Sequence, residues 1–578
     1  MKKYINKIFS GVVLTSALIL SSCGSDYLNV SPSESVETDQ VYETTTGLRS
    51  ALNGIAKEMT TQQYYYGSPF VGESGIIRLY ENLPSQNYNY NYYASGWSPL
   101  HNQTFHLRGT SIYDSYAWAY YYQLIVSANA IINHADDAEG TEDDKKFVKA
   151  SALAFRAFAY EKLIHYYCYR WQDSNNGASR GLPLRLDEST NEIAASTLAE
   201  TYQQIYKDLD ESISLFGSTK SNRNASEVWI PNVNVAHAVY ARAALTKQDY
   251  SKALEQAKLA REGFELMSRS DYQQGFCDPT SEWIFGSYGS TAENNWYWAF
   301  GTQGACNGYY ATTQPTGAGT IGHELIERIP DNDVRKQIFI TEDKVFPEFS
   351  EKLTLAKEKL AEARKSGSAD SAALKALIAD STKWAATINA GVNQTYGIIG
   401  MGSGEAYDKA WESADSVIKA HNVKGKSAAY QSEYYYLDGQ MKFWVNDQPG
   451  VGYVPFIRSS EMYLIEAEAN YFLGNEAAAK SALEALNVVR NPEYTCNKTG
   501  KELFNEIKDY REVELWGEGF AWSDYKRWNI PVVRHSFAQG GNAHTAVAVT
   551  VTPESGNKWT WVVPNGEVDY NSLIKNQE

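Results

Sequence analysis

The 578-residue sequence is poor in the patterns that enzymes, nucleic-acid binders and membrane-spanning proteins need. The apolar run Gly11–Leu20 is too short to cross a bilayer as a stable helix, and no other stretch reaches roughly 18 apolar residues. Basic residues are in deficit: 52 Lys and Arg stand against 69 Asp and Glu, a net charge of −17. That balance argues against nucleic acid or anionic lipid as the main partner. There are five cysteines and no C-x-x-C spacing, which argues against zinc or a dithiol redox role. No G-x-S-x-G occurs. His323-Glu324-Leu-Ile-Glu327 begins like a zincin helix but has Glu where the second His belongs. Gly425-Lys426-Ser427 ends like a phosphate-binding loop, but Ala420 stands where its first Gly is required. With 69 acids, some carboxylate pair will always resemble a glycosidase dyad, and nothing singles one out. No catalytic residue, metal or cofactor is therefore expected.

Aromatics, by contrast, are abundant: 42 Tyr and 15 Trp. Such amphipathic rings serve wet binding surfaces as well as cores. At the N-terminus, Lys2, Lys3 and Lys7 precede the apolar run, which ends in Leu20-Ser21-Ser22-Cys23. This has the form of a signal peptide closing on a bacterial lipobox. Residues 1–22 are expected to be removed and Cys23 diacylated. Two acyl chains suffice for stable anchoring. Residues 23–38 read as a polar tether and 39–578 as one domain. Cys168, Cys277, Cys306 and Cys496 remain; an oxidising envelope permits a bridge, and Cys277 and Cys306 bracket an aromatic loop that a bridge would close.

The spacing predicts helices over 39–57, 113–134, 146–169 and 201–216. Two helical hairpins are clear. One runs from Val233 to Arg261, with Ala236, Val239, Tyr240, Ala243 and Ala244 facing Ala253, Leu254, Ala257 and Ala260. The other runs from Arg458 to Arg490, with Met462, Ile465, Ala469 and Phe472 on its first helix, a stop at Gly474-Asn475, and Ala478, Ala482, Ala485, Leu486 and Val489 on its second. Small residues at the contact are of the tetratricopeptide kind. Ser281–Phe285 reads as a buried strand, residues 346–425 as an inserted helical block, and Ala546–Thr552 as a strand paired with Asn557–Val563.

The hairpin helix Arg458-Ser-Ser-Glu461-Met-Tyr-Leu-Ile-Glu-Ala467-Glu468-Ala469 resembles the signature helix of the SusD/RagB family. Asp333-Val-Arg335 and Lys442-Phe443 before it, and Glu512 to Trp528 after it, match in the family's order. The resemblance implies a mainly α fold: a scaffold of four tetratricopeptide-type helical hairpins carrying a loop-rich face and a few short strands. It also implies a non-catalytic, lipid-anchored outer-membrane protein that captures glycan for a SusC-type TonB-dependent transporter. A peptide- or protein-binding lipoprotein of the same fold is the alternative, and a glycoside hydrolase a weaker one. The Glu512–Trp528 stretch is expected to be structural, through buried ion pairs.

Two loops carry the candidate binding residues. Trp283, Phe285, Tyr288, Trp296, Tyr297, Trp298, Phe300, Tyr309 and Tyr310 fall within 28 residues, broken by glycines and accompanied by Asn294. Sugar rings stack C–H faces on such rings and need polar side chains for their hydroxyls. Trp283, Phe285 and Phe300 are expected in the core; Tyr288, Asn294, Trp296, Trp298, Tyr309 and Tyr310 are the candidates. The second loop supplies Arg78, Tyr88, Tyr90 and Trp97, and glycan-binding relatives place ring contacts in these two regions. If Cys23 carries the anchor, Cys23→Ala releases the protein into the soluble fraction. Full membrane retention of that variant on fractionation refutes lipid anchoring.

Overall fold

The computed structural model describes residues 41–574 apart from 90–96, 290–298, 314–318, 367–370, 394–396, 401–404, 422, 424, 427–434 and 555–558. Its longer helices, with the final short one, are α1 (Thr45–Glu58), α2 (Ile112–His134), α3 (Glu142–Tyr167), α4 (Leu198–Gly217), α5 (Val233–Lys247), α6 (Tyr250–Ala260), α7 (Pro347–Lys365), α8 (Ser371–Ala390), α9 (Glu405–Ala420), α10 (Ser459–Phe472), α11 (Glu476–Arg490), α12 (Gly500–Glu514), α13 (Ala521–Trp528) and α14 (Asn565–Tyr570). Their ends are chemically marked. Thr197 and Glu200 form a reciprocal capping box at α4, Asn232 caps α5 and Asp249 caps α6, each satisfying amides the helix cannot.

Neighbours in sequence pack as neighbours in space. α2 lies on α3, α3 on α4, α4 on α5, α5 on α6, α6 on α10, and α10 on α11. The α5–α6 contact is built from Ala236, Ala243, Ala244, Ala253, Ala257 and Ala260, all buried. Strands are short and antiparallel: β1 (Gln63–Tyr65) with β2 (Ser68–Phe70), β3 (Tyr88–Asn89) with β7 (Thr320–Ile321), β4 (Arg180–Pro183) with β5 (Ala195–Thr197), β6 (Trp283–Gly286) with β10 (Pro455–Arg458), β8 (Ile398–Ile399) with β9 (Tyr435–Tyr436), and β11 (Val532–Val533) with β12 (Thr550–Val551). The fold is thus mainly α, as the sequence implies. α7, α8 and α9 gather a second core around Phe349, Leu353, Ile388, Ala410 and Ile418. Cys277 and Cys306 are buried in that core as free thiols, not a bridge.

Three expectations are corrected. The inner face of α11 is Ala479, Leu483, Leu486, Asn487 and Arg490, about one position round from the apolar reading. Buried Asn487 and Arg490 set that register, and a hydrophobicity pattern gives them no weight. Phe472 is 43% exposed and stacks on Tyr250, with centroids 4.6 Å apart. β12 pairs with β11 rather than with 557–563, because Trp559 and Trp561 are drawn into the core. Trp561 stacks on Tyr166 at 4.4 Å, and its amide donates to the Tyr166 carbonyl at 2.8 Å.

At the centre lies a cluster of fully buried charge. Arg458 donates to Glu282 at 2.5 Å, to Glu514 at 3.0 Å and to Glu518 at 2.7 Å. Arg490 donates to Glu282 at 2.8 Å and to both oxygens of Glu514 at 3.1 Å. Arg335 pairs with Asp333 at 2.6 Å and reaches Glu514 at 3.4 Å. Lys442 donates to Glu518 at 2.6 Å. Three arginines and a lysine thus balance three glutamates and an aspartate. Besides Glu282 and Arg490, these are the residues of the Asp333-x-Arg335, Lys442 and Arg458 motifs and of Glu514 and Glu518, so the Glu512–Trp528 stretch supplies buried ion pairs, as expected. Burial by itself would raise the Glu514 carboxyl; Arg490, Arg458 and Arg335 outweigh it and hold it well below its ordinary value of 4.5.

Removing one partner of such a cluster strands the others without solvent. Glu514→Gln is expected to lose about 3–5 kcal/mol in urea unfolding at pH 7. Because the folded-state pKa is depressed, the carboxylate's contribution is present above about pH 4.5 and lost as pH falls below it. The gap between wild type and variant therefore narrows towards pH 3. A gap independent of pH contradicts a charged Glu514.

Candidate functional site

The two candidate loops meet at one cavity of about 130 Å³, lined by Pro69, Phe70, Arg78, Trp97, Tyr113 and Phe300 among others. Arg78 sits in a π-helical turn, Ile77–Asn82, that continues the short helix Gly72–Ile76. Such wide turns recur at functional sites. Glu81 fixes this turn: it accepts from Tyr166 of α3 at 2.7 Å and from Ser523 of α13 at 2.6 Å. The Arg78 guanidinium lies 4.4 Å from the centre of the Trp97 ring, and its Nη1 donates to Gln303. Gln303 belongs to the short helix Phe300–Gly304. Phe300 is buried in the core as the sequence expects, meets Phe443 edge-on at 5.1 Å and also lines the cavity. A planar cation held over an indole, beside an amide, presents both a stacking surface and directed donors.

The remaining candidates fall into three groups. Tyr88 is buried and stacks on Trp516 at 4.8 Å, so it is a core residue; strand β3 turns it inward onto α12's exit. Tyr288 is half-buried and edge-on to Trp229 at 4.9 Å. Tyr309 and Tyr310 meet edge-on at 5.5 Å, and neither they nor Tyr288 line this cavity. Tyr90, Asn294, Trp296 and Trp298 lie outside the described residues. Sequence reasoning missed Phe70 and Tyr113. The signal was Tyr66-Gly67 between two short β-prone runs, a two-residue hairpin that aims Phe70 inward.

A second cavity, of about 190 Å³, is polar: Asn87, Asn89, His323, Glu324, His535 and Asn542 are among its walls. Burial would lower the His323 imidazole, but Asp438 at 2.9 Å outweighs it and raises it to about 9. Glu324 pairs with His535 at 3.0 Å, so the zincin-like fragment is spent on two separate ion pairs. Among the described residues no group of three or more His, Cys, Asp or Glu is arranged to hold a metal ion. This cavity has no aromatic wall to stack on. Nearby Glu512 is pushed up to about 7 by burial, but it accepts from Tyr525 at 2.7 Å and faces a space of only about 10 Å³, too small for substrate.

Comparison with known proteins gives a consistent picture. Residues 281–575 match the family model described as "SusD family", and residues 26–245 match one described as "Starch-binding associating with outer membrane". No curated protein matches the chain. Among solved structures, a SusD-like carbohydrate binding protein from Bacteroides vulgatus is 18% identical, with a TM-score of 0.67 over 92% of this chain and 97% of that one. A putative sugar binding protein from the same species is 21% identical, with a TM-score of 0.64 over 93% and 98%. Surface glycan-binding protein A from Bacteroides thetaiotaomicron, solved in complex with laminarihexaose, is 14% identical, with a TM-score of 0.60 over 92% and 99%. At these identities the structures speak to fold; the match across 281–575, with the buried motif residues inside it, shows that this chain belongs to the SusD family.

Proposed function

We propose that this protein is a cell-surface lipoprotein that captures glycan without cleaving it, and passes it to a SusC-type TonB-dependent transporter across the outer membrane. The observation that carries the reading is the Arg78–Trp97 pair, 4.4 Å apart, in the wall of a cavity that both candidate loops line. The indole offers a platform for a pyranose ring on the face that Arg78 leaves open, and the guanidinium, positioned by buried Gln303, offers donors for its hydroxyls. Anchored at Cys23, the protein sits over the barrel as a lid, so that capture and opening are coupled by a hinge. Among the described residues no helix is long and apolar enough to cross a membrane, which is consistent with attachment by lipid. Trp296 and Trp298, outside the described residues, are proposed as further stacking partners for the glycan.

One stacked ring is worth roughly 0.5–1.5 kcal/mol, so Trp97→Ala weakens binding by up to about ten-fold. Trp97→Ala with Trp296→Ala and Trp298→Ala abolishes measurable binding on a glycan array, with the melting temperature nearly unchanged. Full affinity in the folded triple variant refutes this placement of the site. Release of shortened product by wild type supports a hydrolase instead, and binding only to peptides supports the alternative ligand.

A further inference from the structure

The two most exposed large hydrophobic side chains among the described residues are tyrosines, Tyr570 at 85% and Tyr66 at 80%. Both line one open cavity of about 710 Å³, together with Tyr65, Trp118, Tyr122 and Glu567. This is well within the range of ligand pockets. It is distinct from the Arg78–Trp97 cavity, and none of those six residues lines the latter.

Tyr66 is costly where it stands. β1 and β2 pair Tyr65 with Ser68, leaving Tyr66 and Gly67 as a two-residue loop with φ of +46° and +77°. Positive φ at both positions marks a type I′ turn, which favours Asn or Asp before Gly. A tyrosine there is strained, and an 80% exposed ring recovers little of that strain by burial. Its ring is set edge-on by Tyr65, at 4.7 Å. The opposite rim is equally fixed. The Asn565 amide of α14 donates to the Gly109 carbonyl at 2.8 Å, and Asn571 donates to the Ile193 carbonyl at 2.9 Å. Trp118 of α2 donates to Glu567 at 3.2 Å, which ties the floor to that rim.

The chemistry of the walls defines the ligand. Glu567 and Asp569 line the cavity, and among the described residues no Lys, Arg or His does. An anionic ligand is disfavoured; one with apolar faces and hydroxyl donors fits, the faces on the tyrosines and the hydroxyls on the carboxylates. The placement defines the ligand's extent. The far side of the same hairpin, Ser68 to Phe70, walls the Arg78–Trp97 cavity. The start of α2 is shared too: Tyr113 faces that cavity, while Ile112 and Ser115 face this one.

We infer that the Tyr66–Tyr570 groove is a second subsite, which takes another stretch of the same neutral polysaccharide chain across the hairpin from the first. This rests on the glycan-capture reading above. Occupying two linked subsites raises affinity for long chains without changing it for short ones.

The test uses full-length lipoprotein in detergent, with starch, laminarin and xylan, their trisaccharides, and polygalacturonate as the anionic control. In Tyr66→Asn with Tyr570→Ala, the turn is kept and both rings are lost. Affinity for the polysaccharide that wild type binds is expected to fall at least ten-fold, while its trisaccharide changes less than two-fold and the melting temperature holds. Unchanged polysaccharide affinity, with Trp97→Ala still weakening it, overturns the groove and leaves the first site standing. Wild type binding none of the neutral glycans overturns both readings, and preference for polygalacturonate overturns the neutral-ligand assignment. If the double variant binds polysaccharide fully but no longer co-purifies with a barrel transporter, the groove is a protein-docking face and the inference fails.

Discussion

The structure turns on the charge cluster around Arg458 and Glu514. Four cations and four carboxylates from six separate places along the chain are packed where water cannot reach them. Such a cluster is a poor source of net stability, since desolvation offsets much of the attraction. Its consequence is specificity. Each charge has partners in one arrangement only, so a slip of α11 by one residue or of β10 against β6 leaves an uncompensated ion. That is why α11 presents Arg490 and Asn487 inward at the expense of its alanine face.

From the cluster the Arg78–Trp97 cavity is suspended on two sides. The turn that leaves α12 carries Gly517 and Gly519 at φ of +78° and +89°. A Cβ on Gly519 would lie 2.7 Å from Ile77, and one on Gly517 would lie 2.5 Å from Phe443. Close approach there lets Asn82 donate to the Gly517 carbonyl at 2.9 Å, which holds the Arg78 turn. On the other side, Lys442 leads directly into Phe443, whose carbonyl accepts from Cys306 at 2.8 Å. Gln440 donates to Gly304 at 2.7 Å, and Asn307 donates to Val445 at 3.0 Å. These bonds fix the helix that carries Phe300 and Gln303. Arg78 and Gln303, 225 residues apart, meet because both hang from the same frame.

Much of this frame is readable from the chain. The helices of the row follow from apolar spacing and caps, and the alanines of α5 and α6 announce a close contact. The motif residues announce the ionic cluster only through resemblance, because no periodicity marks a buried Arg. For the same reason the α11 face was misread: two polar residues decided it. Trp559 and Trp561 look like a strand and act as core plugs, because a ring's partner in three dimensions leaves no local trace. At the site, Arg78 and Trp97 were legible as types in a region, whereas Phe70 and Tyr113 required the hairpin's geometry. Tyr88 was lost to the core because β3 fixes which face it presents.

The central claim is that a sugar ring lies on Trp97 with its hydroxyls turned to Arg78. A crystal structure with a bound oligosaccharide, chosen from those the protein retains, tests it most directly. The account predicts a pyranose face stacked on the Trp97 indole, and an ordered charge cluster unchanged beneath it. A ligand seated elsewhere, with the Arg78–Trp97 cavity left to solvent, contradicts it.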